Sequence, residues 1–162
     1  MKLRIFILLV VPFLSMGAGD INLGKQKSST CIACHGLDGN SLVGLWPSLA
    51  GQNENYLNKQ LLLMKEGERP VIEMTGLLDG MNDQDLKDIS AYYSSQKNRI
   101  GQVSKESFDK GFELYYAGSF EKGIPACTAC HSPKGQGNSP AGYPLLSGQQ
   151  PEYIIKTLKD YR

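Results

Sequence analysis

The sequence has little of what most metal and acid–base sites are built from. Its 162 residues include only two histidines and four cysteines. No apolar run reaches the roughly 20 residues that a membrane-spanning helix needs. The formal net charge is close to zero, at +1, and no basic patch is present. We therefore expect no nucleic-acid partner, and the charge says little else about partners.

The longest apolar run lies at the N-terminus and is too short to cross a bilayer. Lys2 and Arg4 form a basic region ahead of the ten apolar-rich residues 5–14, and a cleavage site with small residues follows. This pattern predicts a secretory signal peptide over residues 1–17. Removing it changes the net charge to −1. We expect an exported, periplasmic protein with no membrane-spanning segment after cleavage, and at most a loose association with the membrane.

All four cysteines and both histidines belong to two copies of one short motif, CIACH at 31–35 and CTACH at 127–131. The pattern C-x-x-C-H attaches haem c. Two thiols one helical turn apart can bond the two vinyl groups of one haem, and the adjacent histidine can reach its iron. We predict two haem c groups, held by four thioether-forming cysteines and two axial histidines: Cys31, Cys34, Cys127, Cys130, His35 and His131.

Three other uses of paired cysteines explain this pattern less well. Exported proteins often hold cysteines as disulfides, a C-x-x-C pair can be a redox dithiol, and two pairs can build one zinc site. A dithiol does not explain why a histidine follows each pair and occurs nowhere else. One zinc site is disfavoured because the pairs begin 96 residues apart. Haem attachment is therefore the preferred interpretation.

The two motifs are parts of a tandem repeat. The offset between the copies is 96 residues at the cysteines and 97 after a small insertion. The repeat predicts two domains, residues 18–98 and 99–162, which we call the first and second repeat. The matching positions include Pro47 with Pro144, Leu49 with Leu146, Gly51-Gln52 with Gly148-Gln149 and Tyr56 with Tyr153.

Hydrophobic periodicity predicts an all-α protein. The acidic side chains of Asp83, Asp85 and Asp88 are expected to form a solvated helix face. No stretch equivalent to the helix at 83–96 follows in the second repeat, so we expect that domain to be incomplete, with its C-terminal part missing from this chain. The predicted helices run from about 21 into the first motif, over 54–66 with Asn53 as N-cap, over 83–96 and 105–117, and from about 151 onward.

An electron-transfer haem commonly takes methionine as its second axial ligand. Met64 lies on the apolar stripe of a predicted helix and is interpreted as core. Met74 and Met81 lie in an irregular stretch, where a loop can place a sulfur over the haem. We favour Met74, with Met81 as the alternative. No methionine follows His131, so the sixth ligand of the second haem is predicted to lie outside this chain.

On these motifs the chain resembles the dihaem cytochrome c4 family, in which two class I cytochrome c domains are joined in tandem. The resemblance implies two helical domains with haems close enough to exchange electrons. It favours Met74 over Met81 as the axial ligand, and it implies that the carbonyls of Pro47 and Pro144 accept hydrogen bonds from the two axial histidines. The matching stretches include residues 31–36, 39–41, 47–52, 73–76, 83–86, 91–96 and 125–131.

The expected function is electron transfer without substrate chemistry, so we do not expect an enzyme. The resemblance implies a periplasmic one-electron carrier of a respiratory chain, between a quinol-oxidising complex and a terminal oxidase as redox partners. Two alternatives stay open: a cytochrome subunit of a flavoprotein dehydrogenase, and a peroxidase-type dihaem enzyme with an open second haem. Against the peroxidase stands the lack of a further histidine for acid–base work.

Overall fold

The computed structural model describes residues 17–161, where the regular structure is helical and contains no strand. The predicted signal peptide, except for its last residue, lies outside the described residues. Two short 3-10 turns occupy Ser28–Thr30 and Ile72–Met74. The all-α prediction is confirmed. The α-helices are α1 (Ile21–Lys27), α2 (Ile32–His35), α3 (Glu54–Lys65), α4 (Asp83–Ser95), α5 (Lys105–Ala117), α6 (Thr128–His131) and α7 (Pro151–Asp160).

Helix α4 begins where its sequence supplies a reciprocal cap. The side chain of Asn82 accepts a hydrogen bond from the backbone N–H of Asp85 at 3.0 Å. The carboxylate of Asp85 in turn accepts from the backbone N–H of Asn82 at 2.8 Å. Such a capping box satisfies two backbone donors that the first turn leaves free. The observed helix, Asp83–Ser95, begins at the predicted residue and ends one residue before the predicted end.

Asn53 occupies the N-cap position of α3, as predicted, but its side chain makes no capping hydrogen bond. Its amide Nδ2 instead donates to the backbone oxygen of Tyr143, in the second repeat, at 2.7 Å. The prediction was right about where α3 begins and wrong about what the side chain does. A partner 90 residues away is invisible to a local capping rule.

The core lies in the first repeat, between α1, α3 and α4. Leu86, Ile89 and Tyr93 are at most 2% exposed, and these are the α4 positions whose spacing predicts a core face. Leu57 of α3 belongs to the same buried cluster as Ile89 and Tyr93. Gly24 lets α1 approach α4 closely, because a Cβ at this position would overlap the backbone carbonyl of α4. The first repeat is thus a small but closed helical unit.

The acidic start of α4 differs from the expected solvated face. Asp88 is 1% exposed and accepts hydrogen bonds from Asp20 N–H at 2.9 Å and Lys27 Nζ at 2.6 Å. Asp85 also pairs with Lys27, at 2.6 Å. Burial by itself raises the pKa of Asp88, but these hydrogen bonds hold it below its ordinary value. The prediction is wrong for Asp88, because its partners come from α1 and the residue before it.

The second repeat has no buried side chain among residues 99–161. Along α5, Phe112 stacks on Tyr116 with ring centroids 4.4 Å apart, and Phe108 lies tilted against Phe112 at 5.6 Å. These rings remain 44–52% exposed. In the part of the chain that the structure describes, no helix packs on α5 as α4 packs on α1.

The two repeats touch through a reciprocal pair of contacts. Gln52 Nε2 donates to Leu145 O at 3.0 Å, and Leu145 N–H donates back to Gln52 Oε1 at 2.7 Å. Gln149 Nε2 donates to Ser48 O at 2.9 Å, and Ser48 N–H donates back to Gln149 Oε1 at 2.8 Å. We call these the glutamine contacts. The glutamines occupy equivalent positions of the repeat, and so do the two backbone partners.

Candidate haem sites

The first motif forms the single turn α2, which ends at Gly36 with φ of 81°. The ring of His35 is 8% exposed, and its Nδ1 lies 2.8 Å from the backbone oxygen of Pro47. With Nδ1 donating to this carbonyl, Nε2 is unprotonated and free to bind a metal. Burial lowers the pKa of His35 below its ordinary value, although the Pro47 bond opposes this. The ring is therefore held in its neutral, ligating form.

The second motif repeats this geometry on α6. Nδ1 of His131 lies 3.0 Å from the backbone oxygen of Pro144. The ring of Tyr143 stands edge-on to the His131 ring, with centroids 5.9 Å apart. Ser132 follows the motif with φ of 67°, a left-handed conformation that glycine adopts more easily and that Gly36 supplies in the first repeat. Both repeats thus pair their histidine with the predicted proline carbonyl.

One loop closure holds each proline carbonyl in place. Gly39 O accepts from the backbone N–H groups of Leu49 and Ala50 at 2.7 and 3.0 Å. Gly135 O accepts from the corresponding groups of Leu146 and Ser147 at 2.7 and 3.0 Å. Because each glycine follows its motif by a few residues, the bonds fold the loop back onto the histidine. The same local hydrogen bonds therefore build both proximal sides.

Both candidate methionines of the first repeat, Met74 and Met81, line a pocket beside the cysteines and histidine of the first motif. Met81 also packs against the core cluster around Tyr93, whereas Met74 ends the 3-10 turn Ile72–Met74 and is not part of that cluster. Met64 is half-buried on α3 and is not among the lining residues. This placement favours Met74 as the residue with freedom to serve a bound group. The pocket is lined by Thr30, Cys31, Cys34, His35, Met74, Leu77, Leu78 and Met81.

The cysteines support the haem interpretation over its alternatives. No disulfide joins any of the four in this structure. Among residues 17–161, no three histidine, cysteine or acidic side chains come together as a metal site would require. Each cysteine pair stays with its own histidine instead. Two thiols, a neutral imidazole and a mostly apolar pocket fit a covalently attached haem.

Comparison with known proteins agrees with this geometry. A family model for cytochrome c matches residues 21–97. Cytochrome c4 of Azotobacter vinelandii is 48% identical over 158 residues, covering 92% of this chain and 75% of the relative. The crystal structure of reduced recombinant cytochrome c4 from Pseudomonas stutzeri matches with a TM-score of 0.87 at 47% identity, over 90% of this chain and 81% of that one. The chain belongs to the cytochrome c4 family.

Membership in the cytochrome c4 family confirms the predicted cofactor, two haem c groups, one for each motif. A further relative, from Thiomonas intermedia, is a thiosulfate dehydrogenase electron acceptor. It is 33% identical over 141 residues, covering 84% of this chain and 64% of the relative. Between residues 17 and 161, no helix has the length and apolar character to cross a membrane.

Several residues at the contact between repeats were not assigned a role from sequence. Arg69 donates to Gln60 Oε1 at 2.8 Å and to the hydroxyl of Tyr153, in the second repeat, at 3.0 Å. Burial raises the pKa of nearby Tyr56 to about 12, so this phenol stays neutral. Gln52 has a signal in the sequence, because it recurs as Gln149 in the repeat. Nothing local marks Arg69.

Proposed function

We propose that the chain is a periplasmic one-electron carrier and not an enzyme. The observation that carries this proposal is the equivalence of the two proximal sides, where His35 and His131 donate to proline carbonyls at 2.8 and 3.0 Å. When bound, each haem iron supplies a centre that gains or loses a single electron. Both histidines of the sequence are used in this way, which leaves none for acid–base chemistry on a peroxide.

The roles of the site residues follow from their places in the structure. The four motif cysteines would anchor the haems of two domains, residues 18–98 and 99–162. His35 and His131 would bind the irons, and the Pro47 and Pro144 carbonyls would orient the rings. A hydrogen bond at Nδ1 makes imidazole a stronger ligand. Met74 would supply the sixth ligand of the first haem.

Apolar side chains beside Met74 suit a brief contact with another redox protein. Ile72 and Leu77 flank it in sequence and are 88% and 45% exposed. Leu77 also lines the pocket that holds Cys31 and Cys34. Electron-transfer partners meet through small interfaces that release quickly. A partner docking here would approach the first haem closely without a large buried area.

We place the carrier between a quinol-oxidising complex and a terminal oxidase. Family membership and the signal-peptide pattern support this position. A second candidate is a carrier that takes electrons from a dehydrogenase of a sulfur compound. The relative from Thiomonas intermedia favours it, because it is an acceptor for thiosulfate dehydrogenase.

Reductive titration of the two-haem protein, followed by stopped-flow mixing, tests the proposal. We expect uptake of two electrons per chain, fast reduction by a quinol-oxidising complex, and fast oxidation by a terminal oxidase. Fast reduction by a thiosulfate dehydrogenase, with none by the quinol-oxidising complex, would favour the second candidate. Turnover with hydrogen peroxide at a rate matching a peroxidase would overturn the carrier proposal.

A further inference from the structure

The peptide group that follows Pro47 is held at both ends. Its carbonyl oxygen, on Pro47, accepts from His35 Nδ1 at 2.8 Å. Its N–H, on Ser48, donates to Gln149 Oε1 at 2.8 Å. One amide therefore links the proximal histidine of the first repeat to a glutamine of the second.

The second repeat has the mirror arrangement. The carbonyl of Pro144 accepts from His131 Nδ1 at 3.0 Å. The N–H of the same peptide, on Leu145, donates to Gln52 Oε1 at 2.7 Å. Each histidine thus reaches, through one peptide group, the glutamine that belongs to the other repeat.

Each glutamine is fixed by more than this one bond. Gln149 Oε1 also accepts from the N–H of Gln150 at 2.9 Å, and its Nε2 donates to Ser48 O. Gln52 Oε1 likewise accepts from the N–H of Asn53 at 2.9 Å. Gln52 is only 4% exposed. Side chains tied at both polar ends hold the partner peptide in one orientation.

Hydrogen bonds in a chain polarise one another. When Ser48 N–H donates to a glutamine oxygen, electron density shifts toward the Pro47 carbonyl and makes it a better acceptor. A better acceptor draws the Nδ1 proton of His35 and strengthens the ring as a ligand. A stronger donor favours the oxidised iron, so the glutamine lowers the reduction potential of the haem across the interface.

We propose that Gln52 and Gln149 are positioning residues, each tuning the proximal ligand of the haem in the opposite repeat. The inference rests on the proposed function, in which His35 and His131 bind the two irons. It predicts crossed effects. A change at Gln149, in the second repeat, alters the haem of the first, and a change at Gln52 alters the haem of the second.

The test uses the full chain with both haems and the variants Gln149→Leu and Gln52→Leu. Potentiometric titration gives the two midpoints, and haem-methyl NMR signals assign each midpoint to its repeat. We expect Gln149→Leu to raise the midpoint of the first haem and leave the second unchanged. Gln52→Leu should do the reverse. Equal movement of both midpoints in either variant, or no movement, overturns the proposal.

Gln150→Leu is the matched control. Gln150 Nε2 donates across the interface to Ser41 O at 2.6 Å, but it contacts neither proximal peptide. We expect unchanged midpoints for this variant. The same crossed shift here would show that any damage to the interface moves the potentials, and would refute the role of the glutamines.

A second variant covers the case in which Gln149→Leu fails to fold. Gln149→Glu keeps an oxygen acceptor for Ser48 N–H and makes it more basic, so the midpoint of the first haem should fall. A rise would contradict the polarisation argument. Haem content is measured in every sample. A wild-type chain without two haems would remove the proposed function itself, whereas two haems without crossed shifts would remove only this inference.

Discussion

The two repeats place a histidine against a proline carbonyl with nearly the same geometry. They differ in how many side chains are buried among the residues that the structure describes. In the first, His35 adjoins a core in which Leu86 and Tyr93 are at most 1% exposed. In the second, no side chain of residues 99–161 is buried, and the His131 bond is still 3.0 Å long. The same bond between a histidine ring and a proline carbonyl is thus present in both repeats.

The loop after each motif explains how this is possible. Gly39 and Gly135 each accept two backbone hydrogen bonds at 2.7 and 3.0 Å, which close the loop and bring the proline to the histidine. Such bonds need only the loop itself. Packing of α4 on α1 is an additional feature that the structure shows for the first repeat.

The largest expected effect comes from removing one pair of thiols. The double variant Cys31→Ala/Cys34→Ala should lose one haem of the two, because the thioether bonds anchor it, and so should Cys127→Ala/Cys130→Ala. Intact mass and pyridine haemochrome absorbance measure the haem count. If either double variant kept both haems covalently bound, that motif would not attach a haem, and the two motifs would not have the same role.

The next effect concerns the sulfur of the first repeat. Met74→Leu should convert one haem from low-spin to high-spin and lower its potential, since an axial methionine raises it. Met81→Leu, which alters packing beside the core, should leave spin state and potential unchanged. Electron paramagnetic resonance of the oxidised protein separates the two. The opposite pattern would make Met81 the ligand.

The helices that precede the two C-x-x-C-H motifs, α1 and α5, each contain one glycine. Substituting these glycines tests whether the two helices are packed differently. Gly24→Ala should destabilise the protein by about 3 kcal/mol, because its Cβ would overlap the backbone of α4. Gly111→Ala, on α5, meets nothing within 4 Å and should stabilise by up to about 1 kcal/mol through helix propensity. Chemical denaturation followed by circular dichroism measures both. Equal destabilisation would mean that α5 is covered as α1 is.

The acid sensitivity of the first repeat is a smaller effect than the overlap expected at Gly24. Because the pKa of Asp88 is lowered in the folded protein, its stabilisation is present above the unfolded value of about 3.9 and is lost as the pH falls through the folded pKa. Asp88→Asn should cost about 2 kcal/mol near neutrality and flatten this dependence. Denaturation curves between neutral and acidic pH test it. An unchanged pH dependence would show that Asp88 contributes nothing.

Features set by neighbouring residues could be predicted from sequence. The start of α4 and the C-x-x-C-H motifs depend on residues a few positions apart, so the local pattern is sufficient to predict them. The burial of Asp88 could not be predicted, because the deciding partner, Lys27, lies on another helix. The glutamine contacts span 93 and 101 residues, and only the repeat alignment hints at them. The proline carbonyls came from resemblance to a family rather than from local rules.

The reciprocity of the glutamine contacts has a consequence for the history of the chain. Gln52 and Gln149 stand at one position of the repeat, so a single glutamine in an ancestral one-haem protein would create both contacts when two copies docked about a two-fold axis. Isologous interfaces gain twice from each favourable substitution. The tandem chain thus has the contact pattern of a fused homodimer, in which each contact occurs twice with the repeats exchanged.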